Sequence, residues 1–198
     1  MIASITSFWL ALVLALAVPP GITLNPEEDE AEAGAYMTLE ERLDERLAAL
    51  AGASSESEGE TIADEVRSIW RQSGGATASL LLDRAERGLA ERDTDTAERA
   101  YTHLRNLEPD FAEGWIASAQ LAMSDGDWDF ALDALTRAVA LEPRRFDAYA
   151  LLGRTLEQAS EPEAALAAYE EALRVHPWHP QARQARARLE DQLAGRAL

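Results

Sequence analysis

The 198-residue chain contains no cysteine and no lysine. Without cysteine it has no disulfide framework and no thiolate metal site, and cysteine usage leaves the redox compartment open. The missing lysine reads as a compositional bias of the genome, for which the sequence offers no physical account. All 18 basic residues are therefore arginine, set against 36 acids, and the formal net charge is −18. A surface of that sign repels phosphate backbones, which argues against a nucleic-acid partner. A Gly-rich phosphate loop, a nucleophile elbow and a His-Glu-x-x-His pair are also missing. No catalytic constellation is legible, and neither a cofactor nor a metal is expected.

What the chain does have is a period. Small, large and helix-stopping residues recur every 34 positions: Ala97, Ala131 and Ala165; Tyr101, Leu135 and Tyr169; Pro109, Pro143 and Pro177. The types suit two short antiparallel helices packed together. Trp115 and Tyr149 anchor the first helix of their units, while Ala119 and Gly153, four residues on, are small enough for the second helix to approach. Ala131 and Ala165 are the matching small residues on that second helix, and Leu135 and Tyr169 fill the space between the pair. Proline then ends each unit, because it cannot continue the hydrogen-bond ladder. With 47% hydrophobic residues the chain can bury a core, distributed between neighbouring repeats rather than around one centre.

This spacing resembles the tetratricopeptide repeat, with its Trp-x-x-Leu-Gly-x-x-Tyr, Ala-x-x-x-Phe and Pro pattern. The third unit, 146–179, carries it through Tyr149, Leu152, Gly153, Leu156, Ala165, Tyr169, Ala172 and Pro177. The first, 78–111, keeps Leu81, Ala85, Ala97, Tyr101 and Pro109 but has Arg84 and Gly88 where the pattern wants apolar residues. The resemblance implies an all-α, right-handed superhelical solenoid of three helix pairs, 78–111, 112–145 and 146–179. It also implies a concave groove lined by positions two, five, nine and twelve of each unit. In the middle unit these are Glu113, Ile116, Gln120 and Met123, and in the third Asp147, Ala150, Arg154 and Glu157. The family's chaperone-tail binders hold a C-terminal carboxylate in a basic and asparagine clamp. Leu82 and Glu86 stand in the corresponding places here, which argues against that ligand.

Outside the repeats the chain falls into four further stretches. Residues 2–18 carry no charge and are followed by Pro19, Pro20 and Gly21. Two readings compete: a secretory signal with a small-residue site at Ala15-Leu16-Ala17, or an uncleaved anchor running on through Leu24. Both put the repeats outside the cytoplasm, in the periplasm, with membrane contact confined to residues 2–24 if these are retained. Residues 25–37 form an acidic, solvated spacer, and the acidity is mainly N-terminal, with 14 of the acids between Glu27 and Val66. Residues 38–75 read as a helical pair. Thr38 and Glu41 make a capping box ahead of Leu39, Leu43, Leu47 and Leu50; Ser54 to Gly59 reads as a loop; a second helix starts at Thr61 and carries Ile62, Val66, Ile69 and Trp70 before Gly74-Gly75. The pair is expected to cover the open edge of the first repeat, with a protein-binding role for the leucine stripe as the alternative. Residues 180–198 are expected to cap the other end, with Arg183, Arg186 and Arg188 on a solvated face rather than at an anionic partner.

Two stretches imitate chemical sites. Asp125 to Asp129 begins like a calcium loop, but Phe130 stands where the sharp turn needs glycine and Thr136 where a bidentate glutamate is required, so turn and cap residues are the better reading. His176 and His179 are three apart without a third ligand nearby, and read as surface histidines rather than a metal pair. Function must then come from surface shape. The expectation is a non-enzymatic interaction module that holds a protein or peptide partner of unknown identity outside a bacterial cytoplasmic membrane. The alternative is a membrane-anchored assembly factor or holdase of the cytochrome c maturation type, and an enzyme is the third class.

Overall fold

The computed structural model describes residues 37–196. The signal or anchor stretch 1–24, the acidic spacer as far as residue 36 and the last two residues lie outside the described residues. All the described secondary structure is helical: α1 Leu39–Ala51, α2 Glu56–Ser73, α3 Gly75–Ala90, α4 Thr94–Leu107, α5 Ala112–Asp125, α6 Trp128–Leu141, α7 Phe146–Gln158, α8 Pro162–Val175 and α9 Pro180–Arg196. Helices α3–α4, α5–α6 and α7–α8 are the three antiparallel pairs of a solenoid, and α9 packs on the last of them.

Local chemistry sets the turns within each pair. Asp93 accepts the Thr96 N–H at 3.0 Å and Asp127 the Phe130 N–H at 3.1 Å, capping α4 and α6. Gly126, at φ +80°, ends α5 in the left-handed region. The calcium-like stretch is thus a helix end followed by a cap. Pro162 opens α8, where its missing N–H costs nothing.

Packing between units relies on small residues. Ala117 and Leu121 of α5 close the first repeat's core of Ala78, Leu82, Ala85, Ala97, Tyr101 and Leu104. Ala182, Ala185 and Leu189 of α9 do the same for Ala165, Tyr169 and Ala172. A Cβ on Gly153 would sit 2.8 Å from the Tyr169 ring, so glycine is what lets α7 and α8 meet.

The N-terminal pair does not cover the apolar leading edge of the first repeat. Instead α1 and α2 lie against the turns that join later repeats, where Leu43, Leu47, Leu50, Ala63, Val66, Ile69 and Trp70 enclose Phe146 and Val175. Hydrogen bonds cross a hundred residues of sequence or more: Arg144 to Asp44 at 2.6 Å, and Trp178 Nε1 to the Ala53 carbonyl at 2.7 Å. The chain reverses into α3 at Gly75, whose φ of +71° few other residues adopt. The leading face of the first repeat stays open, with Leu80 63% exposed. This accounts for Arg84. Its counterpart Ser118 is buried against the preceding unit, whereas Arg84 has no unit before it and faces water.

A second difference concerns the start of α2, which is Glu56 rather than Thr61. Ser55 accepts the Glu58 N–H, and the Glu58 carboxylate takes the Ser54 N–H and hydroxyl, so Ser-x-x-Glu acts as a cap inside the stretch read as a loop.

Candidate partner-binding groove

The groove positions lie on the inner helices α5 and α7, and their side chains have three different fates. Glu113 and Asp147 are taken up by Arg145, a guanidinium only 2% exposed, which reaches each carboxylate at 2.7 Å. The Trp70 ring of α2 covers that guanidinium at 4.5 Å from its centroid. Burial alone would raise the Asp147 carboxyl, but Arg145 outweighs it and holds the group below the usual carboxylate range. Burial likewise opposes the Arg145 charge, and the two acids more than restore it. This end of the groove is therefore filled from within the chain.

Ile116 and Met123 are buried in the core between the second and third repeats. The carboxylate of Glu157 accepts the Tyr169 hydroxyl at 2.8 Å and Arg188 of α9 at 2.6 Å. Three of the eight positions remain accessible: Gln120 and Arg154 are exposed and Ala150 is half-buried. Among the described residues no carboxylate lies within ion-pair range of Arg154, whose Nη2 rests 3.7 Å from Met123 Sδ.

The structure adds residues that the sequence reading assigned to a cap. Gln181, Gln184 and Arg188 stand 34 positions after Asp147, Ala150 and Arg154, so α9 continues the inner face. With Arg154, Glu157, Gln158, Tyr169 and Ala185 they line a depression of about 390 Å³. The signal was the same period carried one helix further.

His176 and His179 are not surface histidines. The N-terminal pair covers them: His176 is fully buried and His179 6% exposed. His176 Nε2 lies 3.2 Å from a Glu60 oxygen, its ring meets Phe146 edge-on at 5.2 Å, and Gly59 of α2 allows the close approach. His179 Nδ1 accepts the Ala182 N–H at 3.3 Å, capping α9. Burial, reinforced by the neighbouring His176, pushes His179 down to about 4, and burial also lowers His176. Nothing in the local sequence announced the cover, which comes from residues more than a hundred positions earlier. Among the described residues no group of three or more His, Cys, Asp or Glu side chains is placed to hold a metal. No described helix is long and apolar enough to cross a membrane.

A tetratricopeptide repeat family model matches residues 116–180 and, again, 151–196. The second and third repeats and α9 thus match the tetratricopeptide repeat. A TPR repeat-containing protein of Rhizobium etli is 26% identical over 97% of this chain and 95% of its own length, so the likeness extends beyond the tetratricopeptide units. Among solved structures, the first TPR domain of Spaghetti (RPAP3), bound to an HSP90 peptide, superposes with a TM-score of 0.57 at 21% identity, covering 60% of this chain and 94% of that domain. MamA superposes at 0.54 and 20% identity, over 67% of this chain and 84% of its own. The O-GlcNAc transferase of Thermobaculum terrenum superposes at 0.53 and 26% identity over 59% of this chain, which spans 22% of the transferase. The low-identity superpositions establish the helix-pair fold. The chain's own N-terminal pair occupies the acidic end of its groove, through Trp70 over Arg145 and Arg71 on Asp83 and Glu86.

Proposed function

We propose that the protein is a non-enzymatic scaffold that captures a partner peptide in the uncovered part of its groove. One observation carries this reading: the exposed Arg154 and Gln120 sit on the inner face with no internal partner for the arginine charge among the described residues, whereas the acids at position two are neutralised from within. Stacked helix pairs offer such surfaces to extended or helical segments. Two structurally similar domains, of RPAP3 and of yeast Sti1, are recorded in complexes with HSP90 and Hsp70 peptides. We place this activity on the outer side of a bacterial cytoplasmic membrane, with residues 2–24 as a cleaved signal or a retained anchor. The support is the uncharged run 2–18 and the Ala15-Leu16-Ala17 site.

The test is co-purification from gently solubilised native envelopes, comparing a C-terminally tagged wild type with Arg154→Glu by mass spectrometry. A discrete partner lost in the variant, with helicity unchanged, is the expected result. Equal recovery by both proteins overturns the assignment of the groove. The intact mass of the same preparation reports whether the chain begins at Met1 or after Ala17, and recovery from the cytosol alone overturns the location.

A further inference from the structure

The groove carries a gradient of charge. Position nine of successive inner helices reads Glu86, Gln120, Arg154 and Arg188, from acid through amide to base. The acidic end already has its counter-charge, because Arg71 of α2 pairs with Glu86 and, at 3.2 Å, with Asp83. At the basic end Arg188 is held by Glu157 at 2.6 Å, whereas Arg154 has no carboxylate within ion-pair range among the described residues. In a chain of net charge −18, an arginine exposed without a carboxylate is the feature that asks for one.

We propose that the basic end takes an acidic peptide segment in extended conformation, its carboxylates on Arg154 and Arg188 and its backbone against the amides of Gln181 and Gln184. This rests on the reading of the groove as a peptide site and names its ligand class. Each arginine offers a carboxylate a planar fork of N–H donors. Glutamine amides donate and accept, as an exposed peptide backbone requires. Packed helices lie roughly 10 Å apart, and an extended chain of the polyproline II type rises about 3.1 Å per residue and returns to the same face every third residue, so carboxylates about three residues apart match the two arginines. The Glu157–Arg188 contact at 2.6 Å shows that side chains of α7 and α9 meet here, and a ligand carboxylate joins or displaces that pair.

The experiment uses the full chain and three fluorescein-labelled dodecapeptides of alanine with Glu, Gln or Arg at every third position, read by fluorescence anisotropy. The acidic peptide is expected to bind at least tenfold more tightly than the glutamine peptide, to weaken at least fivefold in Arg154→Gln, and to be released by 0.5 M salt. Arg186→Gln, which removes an exposed arginine paired with Glu190 at 3.3 Å, should leave binding unchanged. Equal binding of acidic and glutamine peptides, or equal losses in the two arginine variants, overturns the proposal. If peptides bind irrespective of charge and Gln120→Trp abolishes this, the groove stands and the acidic ligand falls. If no peptide binds, both fall.

Discussion

Arg145 shows how one side chain decides which part of the groove is available. It is 2% exposed, and its guanidinium bridges Glu113 of the second repeat and Asp147 of the third beneath Trp70. Removing one member of a buried ion network leaves the others uncompensated, so Arg145→Met should cost about 3–5 kcal/mol in urea unfolding followed by circular dichroism. A loss below about 1 kcal/mol would mean that water already shares those charges. His179 makes a pH-dependent contribution. Its folded value of about 4 lies below the ordinary 6.5, so as pH falls through that interval the unfolded chain takes up the proton first and stability drops. The full loss is on the order of 3 kcal/mol. Asp147 and Glu142, both held below their ordinary values, lose their contribution in the same direction at lower pH. His179→Asn keeps an acceptor for the Ala182 N–H and removes the titration. The fall in melting temperature between pH 7 and pH 5 should be visibly shallower in this variant than in wild type.

Helix by helix, glycines report where elements touch. A Cβ on Gly59 would lie 2.9 Å from His176 Cε1 and 3.2 Å from Trp178 Cβ, both part of a packed seam, so Gly59→Ala should lift α1–α2 off the repeats. Limited proteolysis at the Gly74–Gly75 junction should accelerate in Gly59→Ala and not in Gly52→Ala, whose added Cβ meets nothing closer than 3.6 Å. Gly153→Leu should disrupt the third repeat by driving into Tyr169, whereas Arg154→Glu beside it should leave the helical signal intact; equal helicity loss in both would refute the distinction. Elements whose cause is local were legible beforehand: the period of Ala97, Ala131 and Ala165, the prolines after each pair, the Thr38 capping box and the turn at Asp125 to Asp127. The seat of α1–α2 was not. Its leucine stripe specifies that something apolar must be covered, and Leu43, Leu47 and Leu50 suit the edge of the first repeat as well as Phe146 and Val175. The same gap hid the burial of His176 and left Glu113 and Asp147 looking available, since Arg145 and Trp70 meet them only once that seat is fixed.

At the scale of the molecule, the N-terminal pair changes a row of neighbours into a ring of contacts. A linear solenoid unfolds as a sum of nearest-neighbour units and can fray from either end. Here Glu60 meets His176 across 116 residues and Ala53 meets Trp178 across 125, tying the start of the described chain to its last repeat. Wild type is therefore expected to lose hydrogen-exchange protection in α2 and α8 together, and Gly59→Ala to lose it in α2 first. Independent exchange of the two helices in wild type would show that the tie carries little. The same tie bears on synthesis. A ribosome adding about 5–20 residues per second needs on the order of 5–22 s to move from Trp70 to Trp178. Throughout that interval Leu43, Leu47, Leu50, Val66, Ile69 and Trp70 have been made but the surface that finally covers them has not, so the nascent chain presents an apolar face that must be shielded until translation of the third repeat is complete.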